Sequence, residues 1–225
     1  MREKFSTRVL AEIAIFAAIG FALDMLQSGI FKGIWVNGGS VGFAMIPVFI
    51  IAYRRGLLPG LLCGLVLSLV QMLGGIYVIN GATFKDNPFL QVMGPFIQVM
   101  LDYVLAYFVV GFAGAFSGLY KNSDSKKMKL IWISVGVIVG GLAKYACHVA
   151  SGYFWLDEKI EFWGVNGGTM IYSFIYNLHA VFSTILCLPI MILIARFYPK
   201  FLNSDFAEKR DKEVVDEKVE DNNNE

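Results

Sequence analysis

Long apolar runs separated by short polar segments constrain the fold of this chain more than any other feature. Hydrophobic residues make up 56% of its 225 residues and charged residues only 16%, whereas soluble domains carry roughly 25% charged residues. Because a helix needs about 20 apolar residues to cross a bilayer, the runs predict an all-α integral membrane protein, a compact bundle of six transmembrane helices. The predicted spans are approximately residues 9–27, 41–53, 57–74, 91–119, 130–154 and 169–197.

The charged residues divide the chain into three regions. A basic cytoplasmic arm, residues 1–8, precedes a six-helix membrane domain, residues 9–200, and an acidic tail, residues 201–225, follows it. From Asn203 onward the chain holds nine acidic and four basic residues, a net charge of −5. A segment with this charge and few apolar residues cannot bury a core, so we predict a disordered cytoplasmic tail.

The distribution of basic residues predicts the orientation of the bundle. Eleven lysines and arginines fall on one side of the predicted spans and three on the other. Cytoplasmic loops carry the excess of basic residues, so we expect a multi-pass plasma-membrane protein with both termini in the cytoplasm. The first group is Arg2, Lys4, Arg8, Arg54, Arg55, Lys121, Lys126, Lys127, Lys129, Arg196 and Lys200, and the second is Lys32, Lys85 and Lys159.

The fifth predicted span carries a polar stripe in an otherwise apolar helix. Its members are spaced i, i+4, i+7 and i+11, which places them on one helix face: Lys144, His148, Ser151 and Trp155. Ionisable groups inside a membrane usually face a bundle interior or a water-filled cavity. A ligand site and a purely structural role are about equally compatible with this stripe alone.

The fourth predicted span places a carboxylate about halfway across the membrane. Gln91, Gln98 and Asp102 lie on one face, with Tyr103 adjacent, and Pro95 can kink the helix. An ionised side chain at the bilayer centre costs about 2.5–3.5 kcal/mol, so Asp102 needs a partner. That partner is a ligand or, in the structural alternative, Lys144.

Aromatic and amide side chains begin the sixth predicted span and fill the loops on the side away from the basic residues. Tyr172, Tyr176 and His179 share one face of that span, with Ser173 and Asn177 beside it; for His179 we favour a core or helix–helix hydrogen bond. The polar faces of the last three spans therefore converge under loops on the outer side. Such a pocket suits a small, cationic, heteroaromatic ligand.

Other sequence features narrow the function further. The second span is short, so we expect the loop before it to fold into the protein, where its backbone is hydrogen-bonded.

Cys63, Cys147 and Cys187 lie in apolar runs and are predicted to be packing residues, neither disulfides nor metal ligands. No Walker motif or nucleophile–base arrangement occurs. We therefore expect no enzymatic activity, no cofactor and no ATP hydrolysis by this chain.

Small residues recur on one face of the first predicted span, at Ala14, Ala18 and Ala22. Small side chains allow another membrane helix to approach closely. Contact with a helix of the same chain and docking to a partner protein are equally compatible with this pattern.

Four motifs together resemble the thiamine-specific substrate-binding (S) subunit of energy-coupling factor vitamin transporters. They are GGSVGFAMIPVFIIAYRRG from Gly38, QVMLDYVLAY from Gln98, KYACHVASGYFW from Lys144 and YSFIYN from Tyr172. The likeness covers most of residues 9–197. It implies a six-helix bundle that binds thiamine in an outward-facing pocket and associates with a transmembrane coupling protein and two ATPases.

The resemblance also implies roles for individual residues. Ligand contacts are expected from Asp102, Tyr103, Lys144, His148, Trp155, Tyr172, Asn177 and, in the second loop, Tyr77. Trp35 and Trp163 are expected to add aromatic faces, and Ala14 and Ala18 match the docking motif for the coupling protein. The chain departs from the pattern at Gly42, where some members have a second carboxylate.

Three alternatives remain open at this point. The same scaffold can bind a thiamine precursor or another heteroaromatic vitamin. From a different class of protein, the chain can be a self-sufficient proton-coupled carrier in which Asp102 and His148 relay a proton. A membrane-embedded enzyme or a structural scaffold is the third alternative.

Overall fold

The computed structural model describes most of the predicted membrane domain, and side chains are described throughout it except at residues 153–155, 161–162, 165–166 and 169–170. The predictions for the acidic tail, for Trp163 and for the side chain of Trp155 lie outside the described residues. The described ranges are residues 6–30, 35, 40–81, 87–155, 161–162, 165–166 and 169–203.

The described chain is almost entirely helical. Its helices are α1 (Thr7–Ile30), α2 (Ile46–Arg55), α3 (Leu57–Met72), α4 (Pro88–Asn122), α5 (Lys126–Trp155), α6 (Thr169–Tyr176) and α7 (Leu178–Phe197), followed by a 3₁₀ turn (Pro199–Leu202). Two-residue strands β1 (Glu161–Phe162) and β2 (Val165–Asn166) pair antiparallel, with Glu161 opposite Asn166. The predicted all-α class is confirmed apart from this short hairpin.

Within the described residues, four segments are long and apolar enough to cross a membrane: α1, α4, most of α5, and the α6–α7 segment Ile171–Phe197. These correspond to the first, fourth, fifth and sixth predicted spans. The second and third correspond to α2, of 10 residues, and α3, of 16 residues. The chain is thus a multi-pass membrane protein, and the count of six spans stays a prediction.

The short helix α2 forms the centre of the bundle. Every residue from Ile46 to Tyr53 is buried, and α1, α3 and α4 all pack against it. The Tyr53 hydroxyl donates to the backbone oxygen of Trp132 at 2.7 Å. A helix enclosed by protein on all sides can be uniformly apolar and shorter than the bilayer is thick.

Residues 42–44, which lead into α2, are hydrogen-bonded to other parts of the protein. The Gln27 side-chain oxygen accepts hydrogen bonds from the backbone N–H groups of Phe43, at 2.7 Å, and Ala44, at 3.2 Å. The Gly42 N–H donates to the Ser183 hydroxyl on α7 at 3.1 Å. These side chains satisfy backbone groups that lipid cannot.

Helix α4 departs from α-helical winding at two places along its length. It is α-helical from Pro88 to Val99, becomes a π-helix over Met100–Leu105, and is a 3₁₀-helix over Val109–Phe116. The 3₁₀ part packs so closely on α3 that a side chain at Gly111 would collide with the backbone at Leu61. The sequence predicted a kink at Pro95, but not the π-helix five residues later.

Ion pairs close one end of the bundle. Glu12 of α1 binds Arg54, at 2.9 Å, and Arg55, at 2.8 Å, in the turn between α2 and α3. The Lys121 ammonium group donates to the Arg54 backbone oxygen at 2.9 Å. We call Glu12, Arg54 and Arg55 the basic-end cluster.

Candidate functional site

A hydrogen-bonded pair of Asp102 and His148 lies at the centre of the candidate site. Asp102 projects from the π-helical part of α4, and its Oδ1 lies 3.0 Å from Nδ1 of His148 on α5. Single π-helical turns occur frequently at functional sites, because the wider turn redirects side chains. The structure therefore gives Asp102 the partner it needs, and that partner is His148 and not the Lys144 of the structural alternative.

Gln98, one turn before Asp102, connects the carboxylate to the segment that follows α3. Gln98 is 0% exposed. Its amide nitrogen donates to Asp102 Oδ2 at 3.2 Å and to the Tyr77 backbone oxygen at 3.1 Å, and its side-chain oxygen accepts from the Ile79 N–H at 3.3 Å. The sequence placed Gln98 on the Asp102 face but not among the site residues. Its i, i+4 spacing from Asp102 was the available signal.

Tyr103 and Tyr77 meet at the same place. The Tyr103 hydroxyl accepts a hydrogen bond from the Tyr77 backbone N–H at 2.8 Å. The contact is made by the Tyr77 backbone, and the Tyr77 side chain is exposed. Tyr103 and Gln98 together hold the segment after α3 across α4, next to Asp102.

Lys144 lies deeper in the bundle than the Asp102–His148 pair. It is 6% exposed, and its Nζ stands 3.5 Å from the centre of the Tyr107 ring. This is a close cation–π contact. The lysine also interacts electrostatically with Asp24 of α1, which accepts a hydrogen bond from Gln27 at 2.8 Å. Lys144 therefore contacts α4 at Tyr107, and its role as a ligand contact stays a prediction.

Asn177 occupies the break between α6 and α7 and fixes it to α5. Its amide nitrogen donates to the backbone oxygens of His148, at 3.0 Å, and Ser173, at 2.9 Å. Ser173 donates to the Val149 backbone oxygen at 2.8 Å. A side chain at Gly152 would collide with the Ser173 hydroxyl, so α5 and α6 approach closely here. Asn177 thus supports the helical turn that carries His148.

Aromatic rings form the wall beside this break. Trp35 donates its indole N–H to the Tyr176 backbone oxygen at 2.8 Å, which ties the loop after α1 to α6. The Tyr172 and Tyr176 rings stack with centres 5.6 Å apart and planes 8° apart. Trp35 and Tyr176 flank the His179 ring at 6.1 and 6.0 Å. Trp35 and Tyr172 are therefore on the same wall.

Three buried polar atoms near the pair have no hydrogen-bond partner among the residues that the structure describes: His148 Nε2, Ser151 Oγ and His179 Nδ1. The rings of His148 and His179 are 5.2 Å apart. His179 is buried, as the sequence indicates, and it interacts with the Ser40 backbone, whereas its Nδ1 has no partner among the described residues. Polar atoms in this state are unusual, because almost all buried polar groups are paired.

The small-residue stripe faces away from the bundle. Ala14 and Ala18 are exposed on α1, whereas Ile13, Ala17 and Gly20 form its buried face. The stripe therefore does not pack against the described helices of this chain. As for metals, no three His, Cys, Asp or Glu side chains come together among the described residues.

The site combines a largely buried polar edge with aromatic faces. The Asp102–His148 pair offers a carboxylate and an imidazole, and the rings of Trp35, Tyr172 and Tyr176 lie on the α6–α7 side. Such a set can hold a planar heterocycle by stacking and by hydrogen bonds along one edge. The same aromatic faces attract a cation.

Comparison with known sequences identifies the family to which this chain belongs. The model of the family described as "Thiamine transporter protein (Thia_YuaJ)" matches residues 10–203. The thiamine transporter ThiT of Bacillus subtilis is 33% identical over 202 residues, 88% of this chain and 95% of that protein. ThiT of Lacticaseibacillus paracasei is 28% identical over 208 residues, 89% of this chain and 92% of that protein. These relatives are named as transporters, not as enzymes.

A solved structure agrees with the fold. ThiT from Listeria monocytogenes superposes with a TM-score of 0.62 at 24% identity, over 87% of this chain and 97% of that one. At this identity the likeness bears on the fold alone. The resemblance drawn from the four sequence motifs is confirmed at the level of the family: the chain belongs to the thiamine transporter protein family.

Proposed function

We propose that this chain is the substrate-capture subunit of a thiamine importer and binds thiamine between α4, α5 and α6. One observation carries the proposal: Asp102 and His148 are hydrogen-bonded at 3.0 Å, while the second ring nitrogen of His148 is buried without a partner in the described part of the chain. A ligand that bonds to this nitrogen completes the site. The family membership makes thiamine the first candidate for that ligand.

The roles of the side chains follow from the chemistry of thiamine. Its aminopyrimidine offers an exocyclic donor and ring-nitrogen acceptors, which a carboxylate, an imidazole and an amide can match. Asp102, His148 and Asn177 take this edge, with Tyr172 and Trp155 as ring contacts. Tyr103, Lys144, Tyr77, Trp35 and Trp163 complete the proposed contacts, and the carboxylate balances the positive thiazolium.

Two substitutions test the site directly. Asp102→Asn keeps the shape of the side chain and removes its charge, and His148→Ala removes the imidazole. Losing a hydrogen bond to a charged group costs about 1.5–3 kcal/mol, so each variant should bind thiamine about tenfold or more weakly. Titration of intrinsic tryptophan fluorescence in the purified chain measures this. A neutral thiamine analogue should lose much less affinity for Asp102→Asn than thiamine does.

The outcome that rejects this site is simple. If both variants are folded, as shown by a single monodisperse peak and an unchanged helical spectrum, and still bind thiamine as tightly as the parent, the ligand lies elsewhere.

For transport, we propose that the chain delivers thiamine through a complex with a transmembrane coupling protein and two ATPases. The exposure of Ala14 and Ala18 supports a docking face on α1. The second candidate is a self-sufficient proton-coupled carrier, favoured by the direct Asp102–His148 hydrogen bond, which can relay a proton. Uptake that requires the ATPases supports the complex, and uptake by this chain alone under a proton gradient supports the carrier.

The proposed orientation has six spans, both termini in the cytoplasm and the pocket facing outward. Single cysteines at Asn37 and Glu161 should then react with a membrane-impermeant reagent added outside intact cells. Labelling of these positions only from the cytoplasm would reverse the orientation.

A further inference from the structure

We propose that Ser151 and His179 form a second polar contact with the bound ligand, separate from the Asp102–His148 edge. The inference rests on the proposed function, because it takes the same pocket as the ligand site. Its ligand is a planar heteroaromatic molecule that has hydrogen-bonding groups at more than one edge. Neither residue is among the ligand contacts assigned above.

The hydroxyl of Ser151 differs from the other serine and threonine hydroxyls whose side chains are described on α5 to α7. A serine or threonine in a helix usually bonds to the backbone oxygen four residues earlier. Ser134, Ser183 and Thr184 do so, each at 2.8 Å. Ser151 is 0% exposed, yet its Oγ has no partner within the described residues. The described contacts of Ser151 within the protein therefore do not explain why a hydroxyl group is buried at this position.

His179 shows the same pattern in an aromatic setting. It is 8% exposed, and its Nδ1 has no partner in the part of the chain that the structure describes. The rings of Trp35, Tyr176 and His148 surround it at centre distances of 6.1, 6.0 and 5.2 Å. A nitrogen buried among these rings is suited to a polar atom on a planar ligand that stacks there.

The three unpartnered atoms belong to one region. Ser151 and His148 are three residues apart on α5, so they lie on the same helix face. The ring of His179 on α7 is within 5.2 Å of the His148 ring. Buried polar groups left unpaired are destabilising, and three in one place indicate that another molecule supplies their hydrogen bonds.

Matched substitutions at His179 separate hydrogen bonding from packing. Asparagine and leucine have nearly the same shape, and asparagine places a polar atom close to the position of Nδ1, whereas leucine has none. His179→Leu should bind thiamine at least fivefold more weakly than His179→Asn. His179→Phe, which keeps a ring without nitrogens, should be as weak as His179→Leu. Affinity is measured by fluorescence titration and by calorimetry on the purified full chain.

Ser151→Ala provides the second test, with Ser134→Ala as its control on the same helix. The Ser134 hydroxyl bonds to the Leu130 backbone oxygen, well before the site, so its loss should leave thiamine affinity unchanged. Ser151→Ala should weaken binding about fivefold without lowering the thermal unfolding midpoint of the chain free of thiamine.

Two results would overturn the inference. One is parent-like thiamine affinity in both Ser151→Ala and His179→Leu while Asp102→Asn binds weakly; the pocket is then right and the second contact wrong. The other is a reversed ranking at His179, with phenylalanine parent-like and asparagine weak, which assigns the residue to ring packing. If the parent itself binds no thiamine, or Asp102→Asn binds it normally, the proposed function fails instead.

Discussion

The basic-end cluster and the Asp102–His148 site differ in how completely their polar groups are hydrogen-bonded. Glu12 binds both Arg54 and Arg55, through four hydrogen bonds of 2.8–3.3 Å. Near the middle of α4, Asp102 has His148 and Gln98 as partners, but three polar atoms near it have no partner among the described residues. The charges of the basic-end cluster are thus paired within the protein, whereas the described part of the site contains unpaired polar atoms.

This difference separates a structural use of polar residues from the ligand-binding use proposed above. A fully paired cluster gains nothing from a ligand, because each strong donor already has an acceptor. An incompletely paired cluster in a dry setting gains a great deal, because the ligand removes the cost of the unpaired atoms. Substitutions in the basic-end cluster should therefore affect folding and assembly, and substitutions in the site should affect binding.

The largest expected effect concerns α1, which begins at the basic end. Replacing Ala14 or Ala18 with tryptophan should abolish thiamine uptake by the assembled transporter, because a bulky side chain prevents close helix approach. Thiamine binding by the isolated chain should stay within about twofold of the parent. Uptake into proteoliposomes and fluorescence titration measure the two quantities.

The control for this prediction is Leu193→Trp on α7, where the native residue is 52% exposed. It adds the same bulk to another exposed surface and should leave uptake intact. Loss of thiamine binding or of folding in the α1 variants would favour contact with a helix of the same chain.

An intermediate effect is expected from Glu12→Gln. The substitution leaves two arginines without their carboxylate, and hydrogen bonds to charged groups contribute about 1.5–3 kcal/mol. Since 1 kcal/mol shifts the unfolding midpoint of a chain of this size by about 2–4 °C, the apparent midpoint should fall by about 3–12 °C. Added thiamine should raise the midpoint of this variant as much as that of the parent.

Two comparisons sharpen this experiment. Asp124→Asn removes an exposed carboxylate and should change the midpoint very little. Asp102→Asn should lose most of the stabilisation by thiamine while its own midpoint falls less than that of Glu12→Gln. If Glu12→Gln instead lost thiamine stabilisation, the two clusters would not be independent.

The smallest effect is expected from Gln98→Leu. The substitution removes the contacts of Gln98 with Asp102 and with the backbone at Tyr77 and Ile79. A typical hydrogen bond contributes about 0.5–1.5 kcal/mol, so thiamine affinity should fall about two- to twelvefold. Gln91→Leu, an exposed position earlier on α4, is the control. Unchanged affinity in Gln98→Leu would show that Asp102 needs no support from this side chain.

Much of the candidate site could be predicted from the spacing of residues along single helices. The stripe of Lys144, His148 and Ser151 and the pair of Gln98 and Asp102 follow from helical periodicity, which is local. The hydrogen bond between Asp102 and His148, found in place of the Lys144 pairing of the structural alternative, is a contact between two helices and is not local. Asp102 also lies in the π-helix at Met100–Leu105, where the regular 3.6-residue periodicity used for the prediction does not apply. The motif resemblance assigned ligand contacts to Asp102 and His148, but it did not indicate the hydrogen bond between them.

The helix boundaries show the same limit. The sixth predicted span is interrupted at Asn177, whose amide bonds to α5 make the break stable. An apolar run of normal length does not reveal such a break. The short α2 was visible as a short run, but its central position required knowledge of the neighbouring helices. The role of the small-residue stripe on α1 was ambiguous for the same reason, because small residues suit both contact within the chain and docking to a partner protein.

The attachments of α1 have a mechanical consequence. Glu12 fastens one end of this helix to the turn after α2, and Gln27 fastens the other end to the backbone that enters α2. Helices α1 and α2 are thus attached to each other at both ends. The neighbouring Gly42 is bonded to Ser183, four residues beyond His179 on α7. A rearrangement that shifts residues 42–44 must therefore either break the Gln27 bonds or carry α1, with its exposed alanines, along with it.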